Sequence, residues 1–164
     1  MASEILTDEQ ITALLQLPKR VENPNARARD EGKHTRRDFR VISPDGSHEF
    51  ALFTRQSRLL SYSFSAGLLW LAKSGESVIL MRCNGADHPH TNSIERDRFE
   101  FACHIHQATE RYLAAGKKGE GYAQPTKEYR TLEGALHHVV QQCGITGLKT
   151  VADEPDLFEQ HEHP

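Results

Sequence analysis

Between Asp38 and Cys83 the apolar residues recur at every second position or in short unbroken runs, and turn residues interrupt them at close intervals. That pattern restricts the chain to a β-sheet built largely of hairpins, because only a strand sends successive side chains to opposite faces. DFRVI, the turn SPDGS (Ser43 to Ser47) and EFALFT form the clearest hairpin signal. Pro-Asp-Gly supplies a preset φ followed by a residue tolerant of positive φ. In LLSYSFS, Leu60, Tyr62 and Phe64 alternate with serines, which predicts a third strand with one covered face. Gly67 is expected at a bulge or bend before LLWLA, KSGE (Lys73 to Glu76) at a second tight turn, and SVILMRC as a buried strand. FEFACHIH alternates again, with Phe99, Phe101, Cys103 and Ile105 on one face and Glu100, Ala102, His104 and His106 on the other.

Helical periods flank this block. LTDEQITALLQLP writes out its own start, with Thr7 as N-cap, Gln10 completing a capping box, Leu6 placed to staple onto Ile11, and Pro18 as the stop. In TLEGALHHVVQQCG, Thr131 is the expected N-cap, Leu136, Val139, Val140 and Cys143 make a helical stripe, and Gly144 occupies the C′ position. QATERYLAAG fits either a strand or a helix closed by Gly116. The expected fold is α+β: a single antiparallel sheet of about five strands, with an N-terminal and a C-terminal helix packed on one face. Along the chain this gives an N-terminal helix (1–18), a polar basic arm or loop (19–37), a core domain (38–148) and an acidic tail expected to be disordered (149–164).

The net charge of −3 gives no global attraction to nucleic acid or to a membrane surface, but the charge is uneven. Lys19 to Arg40 holds eight basic and four acidic side chains, a local net of +4. Three cysteines (Cys83, Cys103, Cys143) without a CxxC pair argue against a disulfide framework and against a thiolate zinc site. MASEILTDEQ lacks the basic and apolar blocks of a secretory signal, and no apolar run reaches the ~18 residues of a membrane span. A cytoplasmic protein without membrane contact is expected, its oligomeric state unknown.

RCNGADHPHTN and FACHIHQATERY place four of the ten histidines, His88, His90, His104 and His106, within nineteen residues. One chemistry that uses such a set is metal-independent cleavage of RNA. It needs a base, an acid and a cationic phosphate clamp, and histidine is the residue type suited to the first two. His104 and His106 are the expected acid/base pair, with His88 or His90 assisting. Arg82 and Arg111 would bind phosphate, and Asn84 and Asn92 would contact or position the substrate. No cofactor is required for that chemistry. A second is a zinc site of His88, His90, His104 and His106, with Asp87 or Glu100 completing the set. A third reading is a non-catalytic binding or inhibitor module that docks through the basic stretch and the acidic tail.

These residues resemble a family of uncharacterised bacterial and phage domains. The shared features are an arginine-asparagine-glycine stretch (Arg82, Asn84, Gly85), a histidine-asparagine loop (His88, His90, Thr91, Asn92) and a histidine strand running into Ala-Thr-Glu-Arg (His104, His106, Ala108 to Arg111). More distantly the arrangement is similar to the TumE-like toxins of toxin-antitoxin modules. That resemblance spans about residues 39–145 and implies an RNA-directed toxin with a cognate antitoxin-like partner. The longer N-terminal region and extra C-terminal helix depart from it.

Overall fold

A computed structural model describes residues 5–154 of the chain. Helix α1 (Asp8–Gln16) starts where the capping box predicts: Thr7 Oγ1 accepts from Gln10 N at 3.1 Å, and Gln10 Oε1 accepts from Thr7 N at 2.9 Å. The strands β1 (Lys19–Val21), β2 (Arg29–Glu31), β3 (His34–Ile42), β4 (Glu49–Ser57), β5 (Phe64–Leu71) and β6 (Ser77–Asn84) follow. A two-stranded ribbon, β7 (His90–Thr91) with β8 (Arg98–Phe99), precedes β9 (His104–Gln107). The chain continues through α2 (Glu110–Ala114), β10 (Ala123–Pro125), α3 (Leu132–Gln142) and β11 (Ile145–Thr146).

The α+β class stands, but the sheet is larger than expected. Nine strands run in the order β10-β9-β6-β5-β4-β3-β1-β11, with β2 added on β3. It is mixed rather than wholly antiparallel, since β1 and β11 pair in parallel. Residues 19–37, expected as a basic arm or loop, carry β1, β2 and the start of β3. Three further expectations are corrected. Residues 58–63 form a turn, not a strand, and leave Leu60 and Tyr62 exposed. Strand β5 runs straight through Gly67, and the register shift falls at Leu68/Leu69. Gly67 is instead a close approach, where a Cβ would stand 2.7 Å from the Phe53 ring. FEFACHIH is broken between β8 and β9, leaving Phe101 in solvent.

QATERYLAAG resolves as helix, with Thr109 as N-cap and Gly116 at φ +69° after its end. The proposed acidic tail lies mostly outside the described residues, as do His161 and His163. Its first part, through Asp153, caps α3 by accepting from Arg130 N, Thr131 N and Thr131 Oγ1.

Cross-strand partners share a face, so register sorts the sheet. Phe39, Leu52, Leu68 and Met81 stand in one row of partners, and Val41 faces Phe50. These join Ile11, Leu14, Val139 and Val140 in one buried core, which puts α1 and α3 on the same side of the sheet. At the far edge Lys19, 1% exposed, donates from Nζ to Leu15 O (2.9 Å), Leu17 O (2.7 Å) and Cys143 O (2.8 Å). One ammonium thereby satisfies carbonyls at the C-terminal ends of both helices. The opposite face of the sheet carries the row Arg36, Arg55, Ser65, Asn84 and His104.

Candidate functional site

Strand β9 pairs with β6 so that Arg82 stands opposite His106 and Asn84 opposite His104. Both histidines leave the helix-covered face, as the alternation predicts. Neither reaches solvent, because the 85–103 segment folds back over them: His104 is 0% and His106 4% exposed. The β7–β8 ribbon brings the His90 ring to 4.9 Å from His106 and 5.7 Å from His104, centroid to centroid. His104 and His106 are 5.0 Å apart, and His88 lies 5.5 Å from His104. All four sequence-predicted histidines therefore converge.

Their hydrogen bonds assign the protons, since a carbonyl can only accept. His104 Nδ1 donates to Ala102 O at 2.9 Å and His106 Nδ1 to Glu120 O at 2.7 Å. His90 Nε2 donates to Gly121 O at 3.0 Å and to Asn92 Oδ1 at 2.9 Å. His104 Nε2 meets only the Asn84 amide at 3.4 Å, and His106 Nε2 is buried without a partner. Burial holds the His104 imidazolium well below the usual range. In His106, burial together with the Arg82 charge brings the pKa down to about 3. Rings so enclosed and so hard to protonate are unsuited to shuttling protons to a substrate. Among the described residues no group of three or more His, Cys, Asp or Glu side chains is already arranged to hold a metal ion.

His88 differs from the other three. It is exposed, and its Nδ1 lies 2.7 Å from Asp87 Oδ1, while Asp87 Oδ2 accepts from Ser63 Oγ at 2.9 Å. A carboxylate fixed in this way orients the imidazole. The pair borders a polar pocket of about 180 Å³ whose lining includes His34, Arg55, Arg82 and Asn84. Arg82 is held 3.9 Å from Glu120, and its Nε and Asn84 Oδ1 are buried without hydrogen-bond partners. Arg55 meets His34 Nδ1 at 3.3 Å. A small pocket with two guanidinium groups against the one carboxylate of Asp87 is suited to the oxygens of an anion.

Other sequence-predicted residues fall elsewhere. Asn92 is fully buried, accepts from Ala123 N (2.8 Å), donates to Ala123 O (2.9 Å) and holds the His90 ring through its Oδ1. Arg111 pairs with Glu95 at 3.0 Å and stacks over Tyr122, beside a cavity lined by Ile105 and Gln107 on the helix side of the sheet. Glu100 pairs with Arg98 and is exposed. All three thiols are free, and burial pushes Cys83 up to about 12 and Cys143 to about 11, against a nucleophilic role.

His34, Arg55, Ser63, Glu120 and Gly121 were not legible as site residues. His34 and Arg55 lie outside the histidine-rich segments, although the Pro-Asp-Gly hairpin register, extended along both strands, would have put Arg36 opposite Arg55. Glu120 and Gly121 contribute backbone carbonyls, which leave no side-chain signature, and the Glu120 carboxylate reaches Arg82 from 38 positions along the chain. No protein-family model, curated protein or solved structure matches the chain.

Proposed function

We propose that the pocket beneath His88 is the active site of a metal-independent, RNA-directed ribonuclease of toxin-like character. The observation that carries this is the Asp87–His88 pair standing on the same small pocket as Arg55, Arg82 and His34. In this reading His88 takes the proton of a 2′-hydroxyl, whose oxygen then bonds to the neighbouring phosphorus. The bond from phosphorus to the 5′-oxygen breaks, water gives that oxygen its proton and is restored by the proton His88 has taken, and a 2′,3′-cyclic phosphate remains. Arg82 and Arg55 bind the phosphate oxygens as charge builds on them, and Asn84 contacts the substrate. His104 and His106 pass from the acid/base role expected from sequence to a supporting one, with His90, beneath the reacting groups. The similarity to TumE-like toxins supports the substrate class and brings with it a cognate antitoxin-like protein as partner.

The test is incubation of purified protein with RNA in excess EDTA. Cleavage is expected for the wild type, with a loss of about 10²- to 10⁴-fold in His88→Ala, a smaller loss in Asp87→Asn, and no cut in DNA of the same sequence. An inert wild type, or a His88→Ala variant as active as its parent, would sink the assignment.

One observation favours a second reading, a zinc site at His90, His104 and His106. Each ring gives one N–H to a backbone carbonyl, the arrangement that outer-shell carbonyls impose on metal-bound imidazoles; of the second nitrogens, His106 Nε2 is buried without a partner and His104 Nε2 has only a long contact to the Asn84 amide. Three imidazoles around one ion at about 2 Å would have centroids about 5 Å apart, close to the spacing here. Small ring rotations would be needed to close the set. Metal analysis of protein purified without chelator separates the readings: a stoichiometric metal lost in His106→Ala, with activity abolished by EDTA, favours zinc.

A further inference from the structure

The turn 58–63, which runs into the pocket-lining Ser63, exposes three apolar side chains, Leu59 at 78%, Leu60 at 45% and Tyr62 at 50%. The turn is firmly held. Ser57 Oγ accepts from Leu59 N (3.2 Å) and Leu60 N (3.1 Å), and Gln56 Nε2 reaches Leu60 O (3.2 Å) and Ser63 O (3.1 Å). Its last residue, Ser63, lines the pocket and bonds Asp87. Apolar groups held rigidly in water beside a polar cleft mark a contact surface.

A second feature leads to the same place. Arg29, Arg36 and Arg55 are direct partners on three adjacent strands, and the row continues through Ser65 to Asn84. Like charges set opposite one another destabilise a sheet. Asp38 fixes Arg29 (2.8 Å) and Arg36 (3.1 Å), and Glu31 lies 3.3 Å from Arg29, so two carboxylates face three guanidinium groups. Arg55 has no acidic partner among the described residues. The strands are about 4.8 Å apart, so the three guanidinium groups span roughly 10 Å, and the innermost, Arg55, lines the pocket.

We propose that this surface receives single-stranded RNA, with Tyr62 stacking on a base beside the phosphate held by Arg55 and Arg82, and Arg36 and Arg29 following the backbone outward. The inference rests on the pocket reading above and names the form of its substrate. A duplex keeps its bases stacked and offers none to Tyr62, whereas a single strand presents an open π-face at every nucleotide.

Binding of a short fluorescent single-stranded RNA is measured in EDTA on His88→Ala protein, which prevents cleavage, and inorganic phosphate is measured in parallel as competitor. Adding Tyr62→Ala is expected to weaken RNA binding about tenfold or more, with Tyr62→Trp restoring it and phosphate affinity unchanged. Arg29→Ala should lower the slope of log affinity against log salt by close to one. A matched duplex should bind more weakly. If Tyr62→Ala binds RNA as its parent does, or duplex and single strand bind alike, the track is overturned while phosphate binding keeps the pocket reading alive. If neither RNA nor phosphate binds, both fail, and the surface belongs to another kind of partner.

Discussion

Asn92 shows how much of this architecture rests on single polar side chains. Its amide pairs with both the N–H and the C=O of Ala123, receives His90 Nε2, and donates to Asp97 Oδ1 at 3.1 Å. In this way it joins the β7–β8 ribbon to the edge strand β10 and aims one of the converged imidazoles. Asn92→Ala would strip several buried groups of their partners at once, so a loss of about 2–4 kcal/mol is expected by urea denaturation. A change under about 1 kcal/mol would show that water replaces the amide readily. The sequence made Asn92 noticeable because it follows His90 so closely. Its role depends on Ala123, 31 positions away, and no local pattern announces such a bond. The same holds for His88: a histidine next to an aspartate is common, and what distinguishes this one is Ser63, which arrives from another hairpin.

At the level of elements, legibility followed length and caps. α1 and α3 were readable because each begins at a threonine that accepts from a backbone N–H three residues on, and each carries its apolar residues as a stripe along one face. Strands β1, β2, β10 and β11 have two or three residues each, too short for a period of two to register. LLSYSFS misled for a different reason. Its alternation is genuine, but Gln56 and Ser57 bond the turn backbone locally and stop the ladder before Phe64. The joint between helices and sheet edge gives a prediction at this scale. Lys19→Met keeps most of the side chain's volume but leaves Leu15 O, Leu17 O and Cys143 O without their shared donor. A loss of about 2–4 kcal/mol is expected in equilibrium unfolding.

For the molecule as a whole, the buried histidines couple folding to pH. His104 and His106 titrate below the ordinary 6.5 in the folded protein, chiefly because burial penalises the imidazolium. Between about 6.5 and the lowered folded values, the unfolded chain therefore binds more protons than the native one. Stability should be full above about pH 6.5 and fall as the pH drops toward 3, by at most about 1.4 kcal/mol per pH unit for each histidine. Thermal unfolding from pH 7.5 to 4.5 checks the sign, and a flat or rising midpoint would contradict it. Among the described residues no helix is long and apolar enough to cross a membrane. The order in which the sheet closes has its own consequence. Lys19 meets Cys143 across 124 residues, and β1 finds a neighbour in β11 at the other end of the chain. During synthesis the histidine pocket can assemble while β11 is still inside the ribosome, but the far edge of the sheet cannot. A nascent chain would expose that unfinished edge until β11 has left the ribosome, making the edge opposite the site later to be sealed than the pocket and a place for a chaperone to hold.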